Sequence, residues 1–149
     1  MITFTVAGTL PAPQGSKRHV GHGVLIESSP NVKPWRQAVS AAALDARRRH
    51  GIHEPLRSPC TLSVVFLFPR PKGHYGTRGI RPSAPRWKTT RPDLDKLIRS
   101  TADALTSVLL FDDSQMVSIC ASKRYCLPDE IPGCLVTLIP HVDGQKDAA

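Results

Sequence analysis

Five aspartates, Asp93, Asp95, Asp103, Asp112 and Asp113, fall within RPDLDKLIRSTADALTSVLLFDDSQMV (residues 91–117), in a chain with only 12 acidic residues against 20 Lys plus Arg. Asp93 and Asp95 open a segment of helical periodicity, and Asp112 and Asp113 follow it. Side chains two apart on a regular helix diverge by about 200°, but at a loop-to-helix junction both can address one point. If Asp112 and Asp113 join them, several carboxylates share one pocket, repel, and raise each other's pKa. A divalent cation removes that conflict, and hard oxygen ligands with few competing nitrogens or sulfurs select Mg²⁺ or Mn²⁺. Such an ion polarises a phosphodiester and activates water for attack on it. The same acids also have a plain structural reading. Asp93 is a good N-cap, Asp95 suits the helix dipole, Asp103 stands i,i+4 from Arg99, and Asp112 with Asp113 suits a turn. Spacing alone leaves both readings open.

The first reading makes a demand on the fold. A helix of about fifteen residues spans about 22 Å, so the chain must turn back after it for the two acid pairs to meet.

The rest of the chain carries the opposite charge. Its net charge is +8, and all of that excess lies in residues 1–92, with Glu27, Asp45 and Glu54 as their only acids. A pI near 9.8 points to a polyanionic partner, nucleic acid above a membrane surface. Lys17, Arg18, Arg70, Lys72, Arg86, Lys88 and Arg91 are the candidate phosphate contacts, and Tyr75 and Trp87 could stack on unpaired bases or simply pack in their loop. GSK at 15–17 lacks the spacing of a P-loop. MITFTVAGTL does not read as a signal peptide, and VVFLF is too short to cross a bilayer, so a cytoplasmic protein is expected. Cys60, Cys120, Cys126 and Cys134 show no C-x-x-C spacing and read as reduced thiols on strands. A zinc site from Cys120, Cys126, Cys134 and a histidine, or a role for His19 and His22, is the weaker alternative.

The elements that must position these residues fit one domain over 1–149. TFTVAGTL and VLIES read as strands, and 32–50 as a helix with Trp35, Val39, Ala42, Ala43 and Ala46 on one face. CTLSVVFLFP reads as a central buried strand. Residues 70–92 form a long basic loop without an acid. A helix starts near Asp93 behind Pro92, with Leu94, Leu97, Ile98, Thr101, Ala104, Leu105 and Val108 facing inward. SQMVSICASKRYCL and GCLVTLIPHV read as two strands joined by the turn PDEIPG into an antiparallel hairpin, and 143–149 as a frayed tail. The expected class is α/β (α+β), a small mixed sheet of about four to five strands packed with two main helices.

Asp93-Leu94-Asp95-Lys96-Leu97 with Arg99, then Asp103-Ala104-Leu105, then Asp112-Asp113-Ser114-Gln115 with Met116-Val117, resembles in order the D-L-D-[NK]-L-x-[KR], D-A-L and D-D-x-Q-V pattern of the RusA family of phage and prophage Holliday junction resolvases. PAPQGSKR and the helix near Trp35 fit the same layout. The resemblance implies a small α/β homodimer that uses Mg²⁺ or Mn²⁺, each site cutting one strand of a four-way junction. It implies that Asp93, Asp95 and Asp113 bind the metal, with Asp112 accessory. Arg99 falls at the family's basic position, with Lys96 as the other candidate. Arg keeps its proton at working pH, so Arg99 suits phosphate binding better than proton transfer. The alternatives are a non-catalytic nucleic-acid binder and a nuclease for flaps or forks.

Overall fold

The strand β4 (Cys60–Phe68) organises the molecule. Its sequence is apolar and β-branched, and Cys60, Leu62, Val64 and Phe66–Phe68 are buried. The computed structural model describes residues 1–15, 17–19, 21–23, 25–27 and 30–142, and at 17–19 and 25–27 the backbone alone. The preceding elements are β1 (Ile2–Ala7), the small antiparallel pair β2 (Lys17–His19) and β3 (Leu25–Glu27), and α1 (Val32–Arg49). After β4 come a tight pair β5 (Tyr75–Gly76) and β6 (Gly79–Ile80), then α2 (Leu94–Leu105), β7 (Met116–Tyr125) and β8 (Gly133–Pro140). The main sheet has the order β1-β8-β4-β7, with β4 parallel to β7 and antiparallel to β8, and β1 antiparallel to β8. The class is α+β, with both helices on one side of this mixed sheet.

α1 forms where Trp35, Val39, Ala43 and Ala46 recur at helical spacing, and all four are fully buried. Pro34 sits in the first turn, where its missing N–H costs nothing. Arg47–Arg49 meet the negative pole, and Gly51 at φ +68° ends the helix. α2 packs across α1. The Trp35 indole donates to the Thr101 hydroxyl at 3.1 Å, and the Ser40 hydroxyl donates to the Ala104 carbonyl at 2.9 Å. Full burial of each large apolar side chain here contributes about 1.5–3 kcal/mol.

The hairpin expectation is overturned. β7 and β8 are not neighbours, because β4 lies between them. The physical reason is burial. The most apolar strand takes the centre, and α2 returns the chain parallel to it as a βαβ crossover, which leaves β8 to pair on β4's other side. PDEIPG therefore spans a strand instead of closing a hairpin. Glu130 in that turn takes both guanidinium nitrogens of Arg124 at 2.6 and 2.8 Å and also accepts from the Leu127 N–H at 2.8 Å. The Arg124 guanidinium holds its pKa down at about 2 from an ordinary 4.5. A carboxyl depressed in the folded state stabilises fully above its unfolded value and loses that stabilisation as pH falls from about 4.5 through about 2. Glu130→Gln is expected to cost about 1–2 kcal/mol near neutrality. The difference from wild type should vanish towards pH 2, as thermal melts across pH would show.

Three further expectations are refined. The 70–92 loop is partly built, with a 3-10 turn at Lys72–His74 and the β5–β6 pair. α2 ends at Leu105, and Leu109 N–H and Leu110 N–H both return to the Leu105 carbonyl, folding 106–111 back on the helix end. Asp103 does not pair with Arg99. It meets Arg36 of α1 at 3.0 Å, because the packing of the two helices brings that guanidinium closer. The tail at 143–149 and the side chains of Lys17, Arg18 and His19 lie outside the described residues. Among the described residues no helix is long and apolar enough to cross a membrane.

Candidate active site

Asp93 occupies the N-cap of α2 with extended backbone, yet its side chain makes no capping hydrogen bond. Its carboxylate is exposed and stands 3.7 Å from the Lys96 ammonium. The cap reading holds for the backbone and fails for the side chain. Asp95 lies in the first turn, exposed, with Arg99 one turn on along the same face. Beside them opens a cleft of about 660 Å³ whose polar wall includes Gln14, Lys88, Arg91, Asp93 and Lys96.

Long-range contacts hold this corner. The Gln14 N–H donates to the Lys96 carbonyl at 3.0 Å, and the buried Ser100 hydroxyl donates to the Ala12 carbonyl at 2.6 Å. These bonds fix the PAPQG segment on α2, two residues before β2 begins at Lys17. Arg36 bridges Gln14 and Asp103, bracing the loop from α1. From β7, the Lys123 ammonium donates to the Thr90 carbonyl at 2.8 Å and the Pro92 carbonyl at 2.7 Å. It thereby pins the backbone immediately before Asp93. Sequence reading missed Lys123, since nothing local marks a lysine whose partners lie 31 and 33 residues away.

Asp112 and Asp113 lie elsewhere. The Phe111 N–H donates to the Leu56 carbonyl ahead of β4, so the pair stands at the far end of α2, where β7 begins. Asp112 caps the 3-10 turn Asp113–Gln115, accepting from the Ser114 N–H at 2.8 Å, and that bond lowers its pKa. Gln115 accepts from the Asp112 N–H and donates to the Leu56 and Ser58 carbonyls. The turn reading of Asp112 is therefore right. Asp113 is exposed. β7 does run back beside α2, but it brings Lys123 to the helix start and leaves the acids behind. The two acid pairs flank opposite ends of α2, whose twelve residues span about 18 Å. Among the described residues no three His, Cys, Asp or Glu side chains come together as a metal site, the cysteine alternative included. All four cysteines are free thiols. Two carboxylates at one helix start do suit Mg²⁺, which keeps several of its waters.

The family described as endodeoxyribonuclease RusA matches residues 9–138. The chain belongs to the RusA endodeoxyribonuclease family. Over 129 residues it is 30% identical to Uncharacterized protein YqaN of Bacillus subtilis (strain 168), covering 83% of this chain and 87% of that one. A solved structure of unknown function, Atu1372 from Agrobacterium tumefaciens, aligns over 95% of this chain and 77% of that one at 13% identity, with a TM-score of 0.37.

For a RusA-family chain, the basic residues divide by how they are held. Lys72, Arg86 and Arg91 are exposed, and Arg86 lies 5.0 Å from the Trp87 ring. Lys88 is half-buried, donating to the Thr90 hydroxyl and sitting over Phe68 and Tyr125. Arg70 is spent on structure, its guanidinium donating to the Cys126 and Pro85 carbonyls. Tyr75 and Trp87 are 45% and 51% exposed, so neither ring is consumed by packing.

Proposed function

We propose that the protein is a Mg²⁺-dependent endonuclease, with Mn²⁺ as a substitute, that resolves four-way DNA junctions by phosphodiester hydrolysis. The observation that carries this reading is Asp93. It holds the N-cap position without capping, and its carboxylate faces a basic cleft in a chain of the RusA endodeoxyribonuclease family. A bound Mg²⁺ supplies Lewis-acid polarisation of the scissile phosphodiester. Asp93 and Asp95 would hold it; Asp113, at the other end of α2 in the same chain, would join them only from a second copy in the homodimer expected of the family, with Asp112 shaping the turn that presents it. Lys96 and Arg99 stabilise charge on the phosphoryl oxygens. Arg86, Lys88 and Arg91, with Lys72, Lys17 and Arg18, contact backbone phosphates, which gives affinity without sequence information. Arg70 acts in the same interface by bracing the loop. Trp87 and Tyr75 offer stacking faces for bases unpaired at the crossover.

The test is incubation of a synthetic four-way junction with Mg²⁺, Mn²⁺ or EDTA, beside linear duplex of the same sequence. Paired symmetric nicks near the crossover, lost in EDTA and absent from duplex, are expected. Tight junction binding without nicking under either metal would leave a non-catalytic binder. Preferential cutting of flaps or forks would move the substrate class.

Lys123 gives a smaller prediction. Lys123→Met removes two charge-assisted bonds to the backbone before Asp93, and a loss of about 1.4 kcal/mol corresponds to about tenfold. The loss should appear in the single-turnover nicking rate and not in junction affinity, and Lys123→Arg should recover part of it.

A further inference from the structure

Asp103, in the Asp103-Ala104-Leu105 motif, pairs with Arg36 at 3.0 Å, and the pairing leads to the cleft beside Asp93. The guanidinium nitrogen that meets Asp103 also donates to the side-chain oxygen of Gln14. A guanidinium only donates, so Arg36 decides which way the Gln14 amide points. Its Oε1 turns to Arg36, and the two N–H groups of Nε2 are left for the cleft that Gln14 lines. The Gln14 backbone is fixed as well. Its N–H donates to the Lys96 carbonyl, in the turn of α2 that follows Asp93.

The cleft offers more than a phosphate needs. It holds about 660 Å³, within the range of small-molecule sites. Lys88, Arg91 and Lys96 stand on its wall with Asp93, while Leu10, Pro13, Phe68 and Pro92 give it apolar surface. Phosphate oxygens are served by the cations and gain nothing from apolar walls. An unpaired base uses both, with apolar surface against its faces and a polar group at its edge.

We infer that this cleft takes one unpaired nucleobase next to the phosphate at Asp93, and that Gln14, oriented by Asp103 through Arg36, donates to a carbonyl oxygen on the edge of that base. The inference rests on the proposed nuclease reading and names the subsite that sets where the strand is cut. The class of base follows from the donor. Cytosine, thymine and guanine carry a carbonyl oxygen, and adenine carries none. Bidentate pairing of glutamine with adenine needs the amide oxygen to accept from N6, and here that oxygen is committed to Arg36. Gln14 is therefore the specificity residue, and Asp103 is a positioning residue. Asn31 lines the same cleft, but among the described residues nothing orients its amide. An amide that can turn either end inward does not tell a donor from an acceptor.

The test uses synthetic four-way junctions with a fixed crossover, each carrying an unpaired cytosine or an unpaired adenine at one of the positions that border it. Binding is read by anisotropy in EDTA, so that no cutting is needed. At one position cytosine should bind about fivefold more tightly than adenine, the worth of one hydrogen bond. Gln14→Ala keeps the backbone bond to Lys96 and should bring the two junctions within about twofold of each other. Asp103→Leu should do the same, and Asp103→Glu, which keeps a carboxylate for Arg36, should restore part of the preference. A merely structural Asp103 would weaken both junctions alike. Asn31→Ala should leave the preference intact. Equal binding of cytosine and adenine at every position, or a preference that survives Gln14→Ala, overturns the base site. A preference lost in Gln14→Ala and kept in Asp103→Leu overturns the role of Asp103. If wild type nicks no junction yet shows the preference, the nuclease reading fails and the base site stands. Paired nicks without any preference do the reverse.

Discussion

Asp93→Asn should lower junction nicking by about 10³-fold or more while leaving junction binding within a few-fold of wild type. The substitution is isosteric and removes one charge. Loss of a charge-stabilising contact of several kcal/mol at the reacting phosphate corresponds to that factor. Binding should survive because Lys88, Arg91 and Lys96, which share the cleft, are untouched. If anything, removal of a negative charge beside Lys96 strengthens the grip on DNA. The fold should also survive. The Asp93 side chain caps nothing and is exposed, so the unfolding free energy from urea titration is expected to change by less than about 0.5 kcal/mol. Asp93→Ala sharpens the contrast, since loss of a true side-chain cap would cost about 1 kcal/mol. Single-turnover nicking, junction anisotropy and urea unfolding on the same preparations separate the three quantities. Equal loss of binding, activity and stability would make Asp93 a structural residue.

Gly133→Ala should be the most damaging single methyl group in the molecule, at about 3 kcal/mol or more. Gly133 opens β8 at φ +152°, and a Cβ there would lie 1.7 Å from the Val6 carbonyl oxygen. That atom belongs to the β1 backbone, which cannot rotate away as a side chain would. Gly133 pairs with Ala7 of β1, while the neighbouring Cys134 and Val6 are buried. Relief of the clash must shift β1 or break the start of its pairing. The matched control is Gly73→Ala, where nothing lies within 4 Å and the backbone is ordinary. The control is expected within about 0.5 kcal/mol of wild type. Urea titrations should show a lower midpoint at similar m for Gly133→Ala, and a similar midpoint in both would contradict the account.

What the sequence disclosed depended on the reach of each interaction. The face Trp35, Val39, Ala43, Ala46 and the apolar run of β4 were legible because periodicity and composition are local signals. The N-cap position of Asp93 was legible for the same reason. Whether its carboxylate would cap was not, because Asp serves equally as a cap and as a free ligand. The false hairpin came from trusting PDEIPG, a sound local turn, when the deciding competitor for β8 was β4, contributed from far up the chain. Asp103 likewise had a plausible partner in Arg99, four residues away, and took Arg36, 67 residues away. Lys123 and Gln115 act on carbonyls of distant segments, and no spacing rule points there.

The position of β8 between β1 and β4 bears on how the chain comes off the ribosome. Ile2 is matched with Leu138, and Leu62 with that same residue from the other side. Until residues 133–140 emerge, β1 has no strand to dock on, and Ile2, Phe4 and Val6 have α1 as their early cover. Contacts so distant in sequence also close slowly once they become possible. A nascent chain that stops short of β8 thus holds its helices and the β4–β7 pair without the strand that ties β1 to them. The start of α2, by contrast, takes its bracing from Ala12, Gln14 and Lys123, all made ahead of β8, so it settles while the sheet is still open on one side.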